Sequence, residues 1–160
     1  MPPRIVNLTI DHRSLDTNEL LSEWRWLVPA DYTPVQMNTF GDWFLTDSQE
    51  HVHMLDVMFG ELRELAPSLP EYNQLNKIPD NQWEWFYDQL VFRCDEAGMI
   101  LGSGQCYGWR KHHLLGGMPV FENIEVVSLH AYQSFMGQLS CQTRNLKPGD
   151  PIPSIRLDPA

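Results

Sequence analysis

The stretch GSGQCYGWRKHHLLGG, residues 102–117, gathers the side chains best suited to chemistry: Cys106, His112 and His113, with Arg110 and Lys111 between them. A catalytic thiol needs an imidazole to stabilise its thiolate, usually at a helix N-terminus, and a third group to orient that base. Cys106 is followed by Tyr107-Gly108 rather than a helical pattern, and no cysteine-protease signature surrounds it. A dinucleotide fingerprint fails as well. After Gly102 and Gly104 the sixth position is Tyr107, and the glycine arrives one residue late at Gly108. Ser103 lacks the glycine spacing of a nucleophile elbow. The stretch therefore reads as a structural loop, turned by its glycines, pinned by Tyr107 and Trp109, with Cys106 as a small apolar filler. Tyr107 and Trp109 beside two cations are also candidates to stack on a partner.

A second candidate is His51-Val52-His53. On a strand, H-x-H puts both imidazoles on one face. A metal would need a third or fourth ligand and an outer shell, which His112, His113 or His130 could supply only through the tertiary fold. The simpler reading is two solvent-facing histidines, with Val52 and Met54 turned to the core, no metal and no cofactor.

The elements that would position these groups are legible in outline. Ile5, Leu8 and Ile10 suggest an N-terminal edge strand. Asp16 with Glu19 resembles a capping box that opens a short helix through Leu20, Leu21 and Trp24, stopped by Pro29. MNTFGDWFLTD (37–47) and HVHMLDV (51–57) read as paired strands joined by the five residues Asp47 to His51. Gly60 then separates them from a third strand in ELREL, completing an antiparallel meander. Trp83, Phe86, Tyr87, Leu90, Val91 and Cys94 fall at helical spacing after a cap at Asp80 or Asn81, and Gly98 sits where a left-handed C-terminal residue belongs. NIEVVSL reads as a strand. LHAYQSFMGQLSCQTRN reads as a helix with Tyr132, Phe135, Met136 and Leu139 inward. Strands first and helices later predict an α+β fold: a small antiparallel sheet with helices packed on it, in a single domain. Within it, residues 1–35 form an N-terminal strand and helix segment, 36–145 the α+β body, and 146–160 a proline-rich tail.

Bulk properties limit the function classes. The chain has 160 residues, 21 acidic and 11 basic side chains, and a formal net charge of −10. Between Ser14 and Trp109 four bases face sixteen acids, whereas the remainder is nearly neutral. An acidic body repels phosphate backbones, so nucleic acid is excluded as a direct partner, and a basic protein is favoured. No apolar run approaches the roughly 20 residues of a membrane span, and the N-terminus lacks a signal-peptide pattern. Three separated cysteines, Cys94, Cys106 and Cys141, suit a reducing compartment. The expectation is a cytoplasmic protein.

Several pieces in order are similar to one family: FGDWFL (40–45), VHMLDVMFGELREL (52–65), GQCYGW (104–109), LGG (115–117) and ENIEVVSLHAYQSFMGQL (122–139). Over residues 36–145 the chain resembles a bacterial family of small domains that includes the immunity protein protecting a cell from its own type VI secretion DNase toxin. The arrangement is also loosely similar in fold to the SUKH toxin-immunity superfamily. Many relatives carry a glycine- and aromatic-rich N-terminal region that the first 35 residues here do not match. The resemblance implies no catalytic residues. It implies a non-catalytic, immunity-type binding protein that occludes a basic toxin, possibly a nuclease. The partner-facing candidates are the acidic helix positions Glu84, Asp88, Asp95 and Glu96, with Tyr107 and Trp109 as aromatic anchors. The alternatives are an enzyme using the histidine or cysteine groups, metal-assisted or thiol-based, and a regulatory interaction module with no toxin partner.

Overall fold

The computed structural model describes residues 5–147 and 149–160. Its main sheet is an antiparallel meander of five strands in sequence order: β1 (Thr9–Ile10), β2 (Thr33–Asn38), β3 (Trp43–Thr46), β4 (Val52–Asp56) and β5 (Glu61–Ala66). A separate two-stranded sheet pairs β6 (Gln105–Trp109) with β7 (Ile124–Ser128). The helices are α1 (Thr17–Leu20), α2 (Leu69–Leu75), α3 (Pro79–Phe86), α4 (Asp88–Glu96) and α5 (Leu129–Thr143). The fold is α+β, as the element order predicts.

Strands β3 and β4 are buried on both faces, and their alternation feeds two cores. Trp43, Leu45 and Leu55 point toward Leu21, Trp24 and Val28 of the N-terminal segment and Met136 of α5. Phe44 and Met54 point the other way, toward Tyr72 of α2 and Trp85 and Phe86 of α3. A third core closes one end of the sheet, where Phe40 packs against Tyr87, Tyr107 and Trp109 with ring centroids 5.0, 5.4 and 4.8 Å away. The N-terminal segment is thus part of the main core, and residue 35 lies inside β2. At Gly137 of α5 an added Cβ would lie 2.8 Å from Glu23, so glycine sets how closely this helix crosses the N-terminal segment.

Several predicted elements are present: the Asp16 cap, whose carboxylate accepts from the Glu19 amide; the five-residue turn between β3 and β4; β5; β7; α5; and the left-handed Gly98. Four readings are corrected. Residues 37–47 are not one strand but the end of β2, a tight turn and β3. Gly41 takes φ +82° in that turn, and Asn38 Oδ1 accepts from the amides of Phe40 and Asp42. The helix read across Trp83–Cys94 breaks at Tyr87, which adopts a left-handed conformation (φ 51°, ψ 44°). That conformation is costly for a residue with a Cβ, and it is held by burial of the ring against Phe40 and Trp109. Before the break, α3 turns Trp85 and Phe86 inward and leaves Trp83 41% exposed. The middle of the glycine-rich stretch is strand β6 rather than loop, paired to β7 and tied to the β2–β3 turn by the Tyr107 amide to the Thr39 carbonyl, 2.8 Å. Phe135 of α5 faces outward, not inward. The first four residues of the expected N-terminal strand lie outside the described residues, and β1 itself is two residues long.

The tail lies along α5. Gln138 and Gln142 each donate to and accept from one tail residue's backbone, Asp158 and Arg156 respectively.

Candidate partner-binding site

The residues that looked most chemical are locked away. Cys106 is fully buried among Leu129, Tyr132 and Trp43. Burial pushes its thiol far above the usual range, so it holds its proton and is no nucleophile at neutral pH. His112 is buried too, its Nδ1 accepting from the Leu114 amide, and burial lowers its pKa to about 4. His113 is anchored by Nδ1, 2.9 Å from the Met58 carbonyl. These side chains fasten the stretch to the core, as the structural reading has it.

The partner-facing positions expected from helix spacing separate. Tyr107 and Trp109 are 4% and 5% exposed and form the Phe40 cluster, so neither offers a surface to a partner. Asp88 is buried at the first turn of α4, a place where the helix dipole favours a carboxylate. The reason is the break at Tyr87: α3 and α4 do not share one continuous polar face. Asp95 and Glu96 stand at the far end of α4, where Asp95 lines a cavity beneath residues 100–105. Glu84 alone of the four lies on α3.

Around Glu84 the structure builds a surface that helix periodicity did not reveal. Asp56, Phe59, Glu61 and Arg63 from the β4–β5 hairpin, Trp83, Glu84 and Tyr87 from the α3 end, and Pro119 line an open groove of about 390 Å³. Phe59 and Trp83 are 39% and 41% exposed, a large apolar area for a groove rim. Glu61 and Glu84 are exposed at the rim, and Arg63 lies 3.5 Å from Glu84. Next to Pro119, Met118 and Val120 are also exposed.

A buried polar knot fixes both walls of this groove. Asn38 Nδ2 donates to Asp42 Oδ2 at 2.8 Å and to the Trp85 carbonyl at 2.9 Å, which ties the β2–β3 turn to α3. Asp42 Oδ1 accepts from the Val57 amide at 2.9 Å, and Asp56 Oδ1 accepts from the amides of Met58 and Phe59. The hairpin wall and the helix wall are therefore held by the same residues. Burial and the nearby Asp56 charge push the Asp42 carboxyl well above its usual range, and burial raises Asp56 as well.

The H-x-H segment behaves differently from expectation. Val52 and Met54 do face the core. His51 and His53, however, are each engaged by a carboxylate. His51 Nδ1 is 2.6 Å from Glu64 Oε1 and 4.0 Å from Asp47 Oδ2, while His53 Nε2 is 2.9 Å from Asp47 Oδ2. None of His112, His113 and His130 contributes. Asp47 and Glu64 are the groups sequence reasoning missed. Asp47 had a signal, as the first residue of a short turn where aspartate commonly folds back on the backbone. Glu64 had none, because a register shift between β4 and β5 sets it opposite His53.

Among the described residues no helix is long and apolar enough to cross a membrane. Residues 67–140 match the sequence model of the T6SS immunity protein Tdi1, C-terminal, to which this part of the chain is similar. The matched span begins after β5 and takes in α2–α4, β6, β7 and most of α5. No curated protein matches the chain. Among solved structures, the crystal structure of Atu4351 from Agrobacterium tumefaciens is similar at 15% identity and a TM-score of 0.47, covering 78% of this chain. The chain spans 65% of that structure, under two thirds of its length.

Proposed function

We propose that this protein is a non-catalytic immunity factor that binds a basic toxin, such as a nuclease, and occludes it through the groove between the β4–β5 hairpin and α3. The observation that carries this reading is the juxtaposition of exposed Phe59 and Trp83 with exposed Glu61 and Glu84, on a chain whose residues 67–140 match an immunity family. A nuclease site is shaped to attract phosphates, and a surface with surplus carboxylates imitates them. The net charge of −10 would speed encounter with a cationic partner, and desolvated aromatics at the centre would supply the lasting contact. Nothing in this mode requires bond chemistry. The buried, protonated Cys106 is consistent with that.

Association kinetics with the cognate toxin test the electrostatic part. Capture should slow steeply between low and physiological salt, while the dissociation rate changes less. An association rate indifferent to ionic strength would refute the basic-partner reading.

A further inference from the structure

We propose that Asp47, His51 and Glu64 form a binding site for a divalent transition metal of the zinc class, with His53 supporting Asp47 from outside the coordination shell. This assignment is independent of the toxin-binding reading and lies elsewhere on the molecule.

Three observations carry it. One ligand atom from each of Asp47, His51 and Glu64 lies within 4.8 Å of the other two, and among the described residues no other group of three or more His, Cys, Asp or Glu side chains comes together in this way. Zinc holds imidazole nitrogen and carboxylate oxygen at about 2.0–2.2 Å, which places tetrahedral ligands roughly 3.4 Å apart. The observed separations of 2.6 and 4.0 Å from His51 Nδ1 straddle that spacing. His51 and Glu64 are 34% and 49% exposed, so both side chains have room to adjust.

The second observation is that Asp47 is already oriented as a ligand. Its Oδ1 accepts from the amides of Gln49 (2.8 Å) and His51 (3.0 Å), which fixes the carboxylate in the turn. Its Oδ2 is left toward the histidines. The third is the outer shell. His53 Nε2 sits 2.9 Å from that same Oδ2, and the His53 ring is held by Tyr32 at 4.9 Å between centroids. A ligating carboxylate steadied by a neighbouring imidazole is the kind of support that raises metal affinity. One imidazole and two carboxylates suit a borderline divalent ion rather than a soft one.

The metal would sit between His51 Nδ1 and Glu64 Oε1 in place of their direct contact, with the neutral imidazole carrying its proton on Nε2, and link the β3–β4 turn to β5. Three protein ligands leave a fourth position for water.

The molecule contains its own control. His130 Nε2 lies 3.1 Å from Glu19 Oε1, an exposed histidine–carboxylate pair that no third His, Cys, Asp or Glu joins among the described residues. The test is calorimetric titration of the chelator-treated full chain with Zn²⁺, repeated on H51A, E64Q, H53A and H130A, with Co²⁺ absorption as a second readout. Expected are one ion per chain, a loss of at least about tenfold in affinity in H51A and E64Q, about tenfold in H53A, and no change in H130A. The Co²⁺ spectrum should show the intense bands of a four-coordinate site and lose them in H51A. Binding weaker than about 1 mM, or binding that H51A and E64Q leave unchanged, would mean adventitious surface binding and overturn the proposal. Unchanged circular dichroism in each variant ensures that a loss reports ligands rather than folding.

Discussion

The two histidine-bearing segments exchange their apparent roles. Residues 102–117 look like an active site in sequence, yet β6 carries Cys106, Tyr107 and Trp109 into the cores, and His112 is buried beyond it. Residues 51–53 look bland, yet the turn before them and the strand after them bring two carboxylates to their imidazoles. Adjacency in sequence is a poor guide to convergence, because strand pairing joins residues 13 apart, as His51 and Glu64 are, more effectively than a loop joins neighbours. The lesson extends to partner binding. The exposed groove draws on residues 56–63, 83–87 and 119, none of them adjacent in sequence to the aromatic pair in β6.

The comparison breaks most sharply at Tyr107 and Trp109. As core anchors, Tyr107→Ala and Trp109→Ala should each cost about 3–5 kcal/mol in chemical denaturation. Had they been partner contacts instead, both variants would melt like the wild type and lose only binding.

Next in size is the groove. Reversing charge with the double substitution Glu61→Lys and Glu84→Lys should slow toxin association at low salt by at least about tenfold, with the melting temperature little changed because both side chains are exposed. Equal association rates for the variant and wild type would move the contact surface elsewhere.

His112 provides a pH signature for the buried segment. Its pKa of about 4 in the fold lies below the unfolded value of 6.5, so the unfolded chain binds the extra proton between these values. Stability from this group is present above pH 6.5 and is lost as pH falls toward 4. His112→Gln should flatten that part of the stability profile, which denaturation at several pH values would show. The smallest effect belongs to the exposed segment. Without added metal, His51→Ala should shift stability by no more than about 0.5 kcal/mol, since a solvent-accessible side-chain contact contributes little. A loss several times larger would mark His51 as a structural residue and narrow the contrast between the two segments.

Much of the architecture was legible before the structure. The HVHMLDV run, the alternation in ELREL, the Asp16 cap and the α5 stripe led to the right elements, because each signal is local. The helix break at Tyr87 was not legible, since the apolar spacing on either side fits one continuous helix and only tertiary burial of the ring holds a left-handed tyrosine. That break separates Glu84 on α3 from Asp88, Asp95 and Glu96 on α4, and Asp88 lies buried. The polar knot of Asn38, Asp42 and Asp56 was equally hidden, because a buried carboxylate in a turn looks like an exposed one in sequence. The family resemblance was carried by the strand and helix patterns of residues 36–145, and the match over 67–140 falls within that span.

The proposed covering of a toxin by the groove at Phe59, Glu61, Trp83 and Glu84 has one direct test. The most direct measurement is growth of cells producing the cognate toxin together with either the wild-type protein or the Glu61→Lys, Glu84→Lys variant, at matched folded levels. The account predicts that the wild type restores growth and the variant does not. Equal protection by both would contradict it.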